Sequence, residues 1–228
     1  MLDIIKKKEY FEWLDRGIAD PKNQTLKGIQ DAWILSLLSE KADLRIAEIG
    51  GGKSRVLQKL AEKNECWNID KFEGLGAGPT DLPELPGVKI VRTYLGEFDP
   101  ALPNEYFDVV FSVSVVEHVI PEKLEAFFAD CYRILKPGGM IAHAIDLYVF
   151  DSPNTRLGIV DAYRRSIEGH GLSWLSQPNV DCNLIFQCCF ATNSDVTMNI
   201  WNKIAPSLRE VRETAQSISL KLQALKKM

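Results

Sequence analysis

Short apolar runs of strand length alternate along the chain with longer segments whose apolar positions recur every three or four residues. This alternation predicts βαβ units that share a parallel sheet, a doubly wound α/β fold. The strand candidates are residues 44–50 (LRIAEIG), 66–70 (CWNID), 88–93 (VKIVRT), 106–114 (YFDVVFSVS) and 139–147 (GMIAHAIDL). The clearest helix follows the fourth of these. Pro121 suits its first turn, Leu124, Phe127, Phe128, Cys131, Ile134 and Leu135 fall on one face, and Lys136-Pro137-Gly138-Gly139 ends it. TLKGIQDAWILSLLSE, before the first strand, also has helical period, and so do residues 155–170; residues 172–176 and 183–191 read as two further strands that close the sheet.

Two segments break the rhythm. Residues 71–87 (KFEGLGAGPTDLPELPG) stand where a crossover helix belongs but are rich in glycine and proline, so they read as mostly loop. At the carboxyl edge of the sheet such a loop is either a wall or lid over a ligand or a degenerate crossover. From Leu208 onward Val211, Ala215, Ile218, Leu222 and Leu225 keep a three-four spacing. That pattern predicts a C-terminal amphipathic helix, either a coiled-coil seam binding a second copy or a protein partner through residues 206–227, or a helix packed on its own domain. The expected organisation is N-terminal cap helices at 1–40, a core of seven strands at 41–192 and a helical extension at 193–228.

The 228 residues, 46% of them hydrophobic, suffice for one ordinary domain. A formal charge of −4 offers no broad positive field, which argues against nucleic acid and anionic membrane as partners. Five cysteines without a CxxC pair read as reduced thiols, and no secretory or membrane-spanning pattern is visible. The cytoplasm is the expected compartment.

The candidate chemistry starts at Glu48-Ile49-Gly50-Gly51-Gly52-Lys53-Ser54, where a buried strand hands over to a helix. Glycines there let the chain turn tightly and bring bare backbone N–H groups to a ligand. Gly52-Lys53-Ser54 supplies the tail of a P-loop, but the leading glycine would fall at Ala47 inside the strand. A dinucleotide GxGxxG counted from Gly50 fails at Arg55. An acidic residue followed by GxG fits. The second strand ends at Asp70, a position from which a carboxylate accepts both hydroxyls of a ribose.

Taken in order, IAEIGGGKS, NID, LGEF, FDVVFSVSVVEHV and YRILKPGGMI resemble the class I S-adenosylmethionine-dependent methyltransferases of the type 11 small-molecule group, over about residues 30–150. The resemblance implies a Rossmann-like methyltransferase fold and S-adenosyl-L-methionine as cofactor. By it Glu48 and the backbone of Gly50, Gly51 and Gly52 hold the methionine moiety, and Asp70 the ribose. Glu97 with Phe98 meets the adenine amino group and ring nitrogen, and Val113 lines the cofactor wall. Ser54 stands where the family often has a third glycine.

Glu117-His118 follows the fourth strand in a position that the family turns toward the acceptor. His118 is the candidate base because imidazole titrates near neutral pH. Asp146, near the carboxyl end of the fifth strand, is the second catalytic candidate; His143, three residues earlier, falls on the opposite face. Tyr148, Asp151 and Asn154 continue toward the acceptor or serve as simple turn residues. No metal is expected. The expected reaction is methyl transfer to a hydroxyl of a small molecule or carbohydrate, and the rival expectation is an inactive methyltransferase-like scaffold assembled through the C-terminal helix.

Overall fold

The computed structural model describes residues 1–23, 25–74, 78–150, 158–180 and 215–228. The chain runs β1 (Leu2–Ile4), α1 (Lys7–Asp15), α2 (Leu26–Leu38), β2 (Arg45–Ile49), α3 (Leu57–Leu60), β3 (Glu65–Ile69), β4 (Val88–Val91) and β5 (Phe107–Val113). A 3-10 turn (Val116–His118) follows, then α4 (Pro121–Ile134), β6 (Leu135–Phe150), α5 (Gly158–Gly169), β7 (Leu172–Trp174) and β8 (Ala215–Lys226). The sheet order is β1-β8-β6-β5-β2-β3-β4, with β7 paired to β8. β4, β3, β2, β5 and β6 are parallel neighbours, and β8 is antiparallel to β6, β1 and β7. The doubly wound sheet expected from the pattern is therefore present, with eight strands among the described residues rather than seven.

Two apolar layers sandwich the parallel strands. Phe127, Phe128, Cys131 and Ile134 of α4 and Val160, Tyr163 and Ile167 of α5 bury one face with Trp67, Ile69, Val110, Ile141 and Ile145. Trp33, Ile34, Leu35 and Leu38 of α2 and Leu57 and Leu60 of α3 bury the other with Ile46, Cys66, Val109, Phe111, Ala142 and Ala144. Neighbouring strand residues point into opposite layers, which is why these strands read as continuous apolar runs. Thr25 caps α2 by accepting the Gly28 N–H at 3.2 Å. α4 runs straight into β6, and the Lys136–Gly139 stop survives as a register shift against β5 around Phe107 and Val109, with Gly138 at φ 79°.

The C-terminal helix is corrected. Residues 215–226 are strand β8, paired with β6 from Met140↔Leu225 to Phe150↔Ala215; residues 193–214, and the second strand expected at 183–191, lie outside the described residues. Ile218 and Leu222 are four apart, a spacing that puts them on one face of a helix or of a strand alike. Leu220 and Ala224 decide the matter, because SISLKLQAL alternates with period two and buries Leu220, Leu222 and Ala224 completely. Pairing with β6 takes residues 215–225 out of the helical partner surface expected at 206–227, of which 206–214 lie outside the described residues. Lys226, also buried, donates to the carbonyls of Tyr132 (3.1 Å) and Leu135 (2.9 Å) where α4 ends. The first forty residues hold helices α1 and α2 and, unanticipated, the edge strand β1. Among the described residues no helix is long and apolar enough to cross a membrane.

Burial of β8 sets a stability cost. Leu222→Ala should lower the unfolding free energy by about 2–5 kcal/mol in urea denaturation. A cost below about 0.5 kcal/mol, the level of an exposed position, would contradict this placement.

Candidate functional site

The site begins at the exit of β2. Gly50 and Gly52 have φ of 62° and 52°, which favour glycine. A Cβ on Gly50 would lie 2.7 Å from Val115 Cγ2, and one on Gly51 would lie 2.6 Å from Asn68 Oδ1. The turn is stitched to the end of β3: Gly50 N–H donates to the Ile69 carbonyl (2.8 Å) and Gly52 N–H to Asp70 Oδ2 (2.9 Å). Asn68, fully buried, donates through Nδ2 to the Gly52 carbonyl at 2.8 Å, and its Oδ1 has no partner. Asp70 Oδ1 accepts the Phe72 N–H at 2.8 Å. Each oxygen of Asp70 thus takes one backbone N–H, and about half of the carboxylate's roughly four acceptor positions stay open.

Glu48 is enclosed at 4% exposure and accepts a hydrogen bond from Ser54 Oγ, which itself accepts the Leu57 N–H at 2.9 Å. It braces the glycine turn from inside. Burial pushes its carboxyl up to about 8, the Ser54 hydroxyl opposes this, and Asp31 adds to it. Asp31 pairs with Arg55 at 2.5 Å beside a cavity of about 450 Å3 lined also by Gly28, Asn23 and Gln58. That cavity lies between α2 and the start of α3. Over the turn itself sits Pro79, whose Cδ would be 3.1 Å from a Cβ on Gly52.

Glu97 and Phe98 lie in the loop after β4, on the same edge. Lys71 Nζ is 3.7 Å from Glu97 Oε2, which ties the loop to the residue after Asp70. Phe98 is 48% exposed, has φ 53°, and gives its N–H to Asp130 Oδ2 at 3.1 Å. The Phe98 amide is therefore spent inside the protein, and its ring is what the loop offers outward. Val113, the last residue of β5, is half-buried against the α2 layer. Glycine turn, Asp70, Glu97 and Phe98 thus follow successive parallel strands along the carboxyl edge, the crevice where open α/β sheets hold ligands. Bare backbone at positive φ, a carboxylate with acceptor positions to spare and an exposed ring fit an adenosyl group with a methionine tail.

The side expected to face an acceptor is built around Asp146. Its Oδ1 accepts Gln30 Nε2 at 2.7 Å and lies 2.9 Å from Ser114 Oγ; Gln30 Nε2 also reaches Ser219 Oγ at 3.0 Å. Gln30 is fully buried on α2 and Ser114 has φ 52°. The sequence reading missed both, although a polar Gln30-Asp31 pair inside an apolar helix was the available signal. His118 and Glu117 differ in exposure, although their side chains meet at ion-pair distance. The His118 side chain is 56% exposed, whereas both Glu117 oxygens are buried without a hydrogen-bond partner, His118 Nε2 lying 4.0 Å from Glu117 Oε1. Burial first, then the Asp146 charge, pushes Glu117 up to about 8. His143 is a core residue: Nδ1 is 2.8 Å from Ser112 Oγ, the rings of Phe127 and Phe128 flank it, and burial brings it down to about 3. Tyr148 is half-buried on β6; Asp151 and Asn154 lie outside the described residues.

These shifts fix a pH dependence. The folded chain keeps protons on Glu48 and Glu117 that the unfolded chain releases above about 4.5, so stability falls as pH rises toward 8. His143 acts oppositely but only below its unfolded value of 6.5. The melting temperature should therefore drop between pH 6.5 and 8, and Glu117→Gln should flatten that slope; an unchanged slope would show that Glu117 ionises freely.

Comparison with known proteins matches residues 47–143 to a family described as "Methyltransferase domain". A sterol 24-C-methyltransferase from Neurospora crassa is 26% identical over 117 residues, a stretch covering 47% of this chain and 29% of that enzyme. Among solved structures, a phosphoethanolamine N-methyltransferase from Haemonchus contortus, bound to S-adenosylhomocysteine, superposes with a TM-score of 0.55 at 14% identity, covering 87% of this chain and 52% of that one. An S-adenosylmethionine-dependent methyltransferase from Mesorhizobium loti gives 0.53 at 18% identity, covering 88% of this chain and 100% of that one. Fold, glycine turn and family match agree: residues 47–143 match a family of methyltransferase domains, on a fold that these solved methyltransferases share.

Proposed function

We propose that the chain transfers the methyl group of S-adenosylmethionine to a hydroxyl of a small molecule or sugar. The observation that carries the reading is the glycine turn at the exit of β2, bonded through Gly52 to Asp70. In this reading the free acceptor positions of Asp70 take the ribose hydroxyls, and Glu97 takes the adenine amino group. The Gly50–Gly52 backbone meets the methionine end, and Glu48 holds that backbone in shape. Bound there, the cofactor supplies a methyl group on a cationic sulfur. Cys66 and Cys131, buried free thiols among the described residues, suit a reducing compartment such as the cytoplasm.

A hydroxyl acceptor must lose its proton as its oxygen takes the methyl group. Asp146, fixed by Gln30 and Ser114, presents its second oxygen to orient the hydroxyl. His118 stands at the rim. Glu117 adds a third candidate through its ionised fraction, the minor form at neutral pH for a carboxyl pushed up to about 8, but the more basic for that shift. Two carboxyls on this side also favour a donor-rich acceptor over a polyanion.

Calorimetry should show S-adenosylhomocysteine binding in the micromolar range. Hydrogen exchange should change around residues 50–57 and 78–87 as Pro79 leaves Gly52. No binding would remove the proposed activity. With a panel of polyols, sugars, phenols and amines, release of S-adenosylhomocysteine should occur with a hydroxyl acceptor, and Glu117→Gln should slow it by about 10²-fold or more. Turnover on amines alone would overturn the hydroxyl assignment.

A further inference from the structure

Asp130 is a carboxylate with no exposure at all, set on α4 among Phe127, Cys131 and Ile134. Its Oδ2 accepts the N–H of Gly96 at 2.7 Å and of Phe98 at 3.1 Å; its Oδ1 accepts Arg133 Nε at 2.8 Å. Arg133 in turn donates to the Leu102 carbonyl (2.6 Å), Asn104 Oδ1 (2.7 Å) and the Asp99 carbonyl (3.3 Å). One turn of α4 thereby holds the backbone from Gly96 to Asn104. The loop lies so close to the helix that a Cβ on Gly96, at φ 94°, would be 3.1 Å from Phe127 N. Phe98 is held at positive φ, a conformation that bulky residues adopt only when their surroundings impose it.

We propose that Asp130 is the positioning residue for adenine recognition: by gripping Gly96 N–H and Phe98 N–H it aims the Glu97 carboxylate and the Phe98 ring at the base. The inference rests on the adenosyl reading of the site. Its chemical content is specific. The Phe98 N–H, held by Asp130, is no donor to the purine, so the base is read by Glu97 at its exocyclic amino group and by the Phe98 ring face. Asp130 touches no ligand itself.

The test is calorimetry with S-adenosylhomocysteine and with its analogue lacking the purine amino group. The wild-type chain should prefer the amino form by about tenfold or more, the scale of a charge-assisted hydrogen bond. Asp130→Asn should lose most of that preference at a temperature where circular dichroism shows it folded, a change that general loosening would not produce selectively. Should Asp130→Asn fail to fold, Gly96→Ala, which forces the same loop off α4 without removing the carboxylate, should show the same loss. Glu97→Gln separates the possible failures. If Glu97→Gln abolishes the preference while Asp130→Asn or Gly96→Ala keeps it, the positioning role is overturned and the site reading stands. If Glu97→Gln also keeps it, the adenine placement itself is wrong, and the positioning role falls with it.

Discussion

Everything at the carboxyl edge of the sheet depends on the absence of side chains at three consecutive positions. A Cβ on Gly50 would strike Val115, and one on Gly51 would strike Asn68 and Glu48. With those atoms missing, the turn lies against the ends of β3 and β5 closely enough for Gly52 to reach Asp70. The Cα–Cβ exclusion is steric and local. Its consequence is longer in range, because it sets the distance between the glycine backbone and the only carboxylate that ends β3.

Around this turn the protein keeps buried polar groups partnered, with informative exceptions. Asp130 and Asp146 are each fixed by donors from distant elements, and Glu48 by the adjacent serine. Asn68 Oδ1 and both oxygens of Glu117 are not satisfied. Buried polar atoms without partners are costly and uncommon; Asn68 stands at the glycine turn and Glu117 near Asp146, and Thr93 Oγ1, His143 Nε2 and Arg164 Nε are the others among the described residues. The same low-dielectric surroundings that make an unpaired Glu117 expensive also hold its proton near neutral pH.

The parallel strands were legible because strands buried on both faces are continuous apolar runs, and helix α4 because its apolar stripe is clean. The glycine turn and Asp70 were legible because their chemistry is sequential: an acid, bare backbone, then an acid at the next strand's end. β8 was not, since Ile218 and Leu222 satisfy two periods at once and only Leu220 and Ala224 separate them. β1 was too short to carry any period. Gln30, Ser114 and Asp130 act across the fold, and their roles exist only once distant elements are adjacent. A carboxylate inside the apolar face of α4 was the one visible trace of Asp130. The His118 assignment weighed side-chain type; direction then put Glu117 inside and His118 out.

A crystal structure with S-adenosylhomocysteine tests the central claim most directly. The account predicts both ribose hydroxyls within hydrogen-bond distance of the Asp70 carboxylate, with Pro79 displaced from Gly52. A ligand seated instead in the cavity beside Asp31 and Arg55, with Pro79 still against the glycine turn, would contradict it.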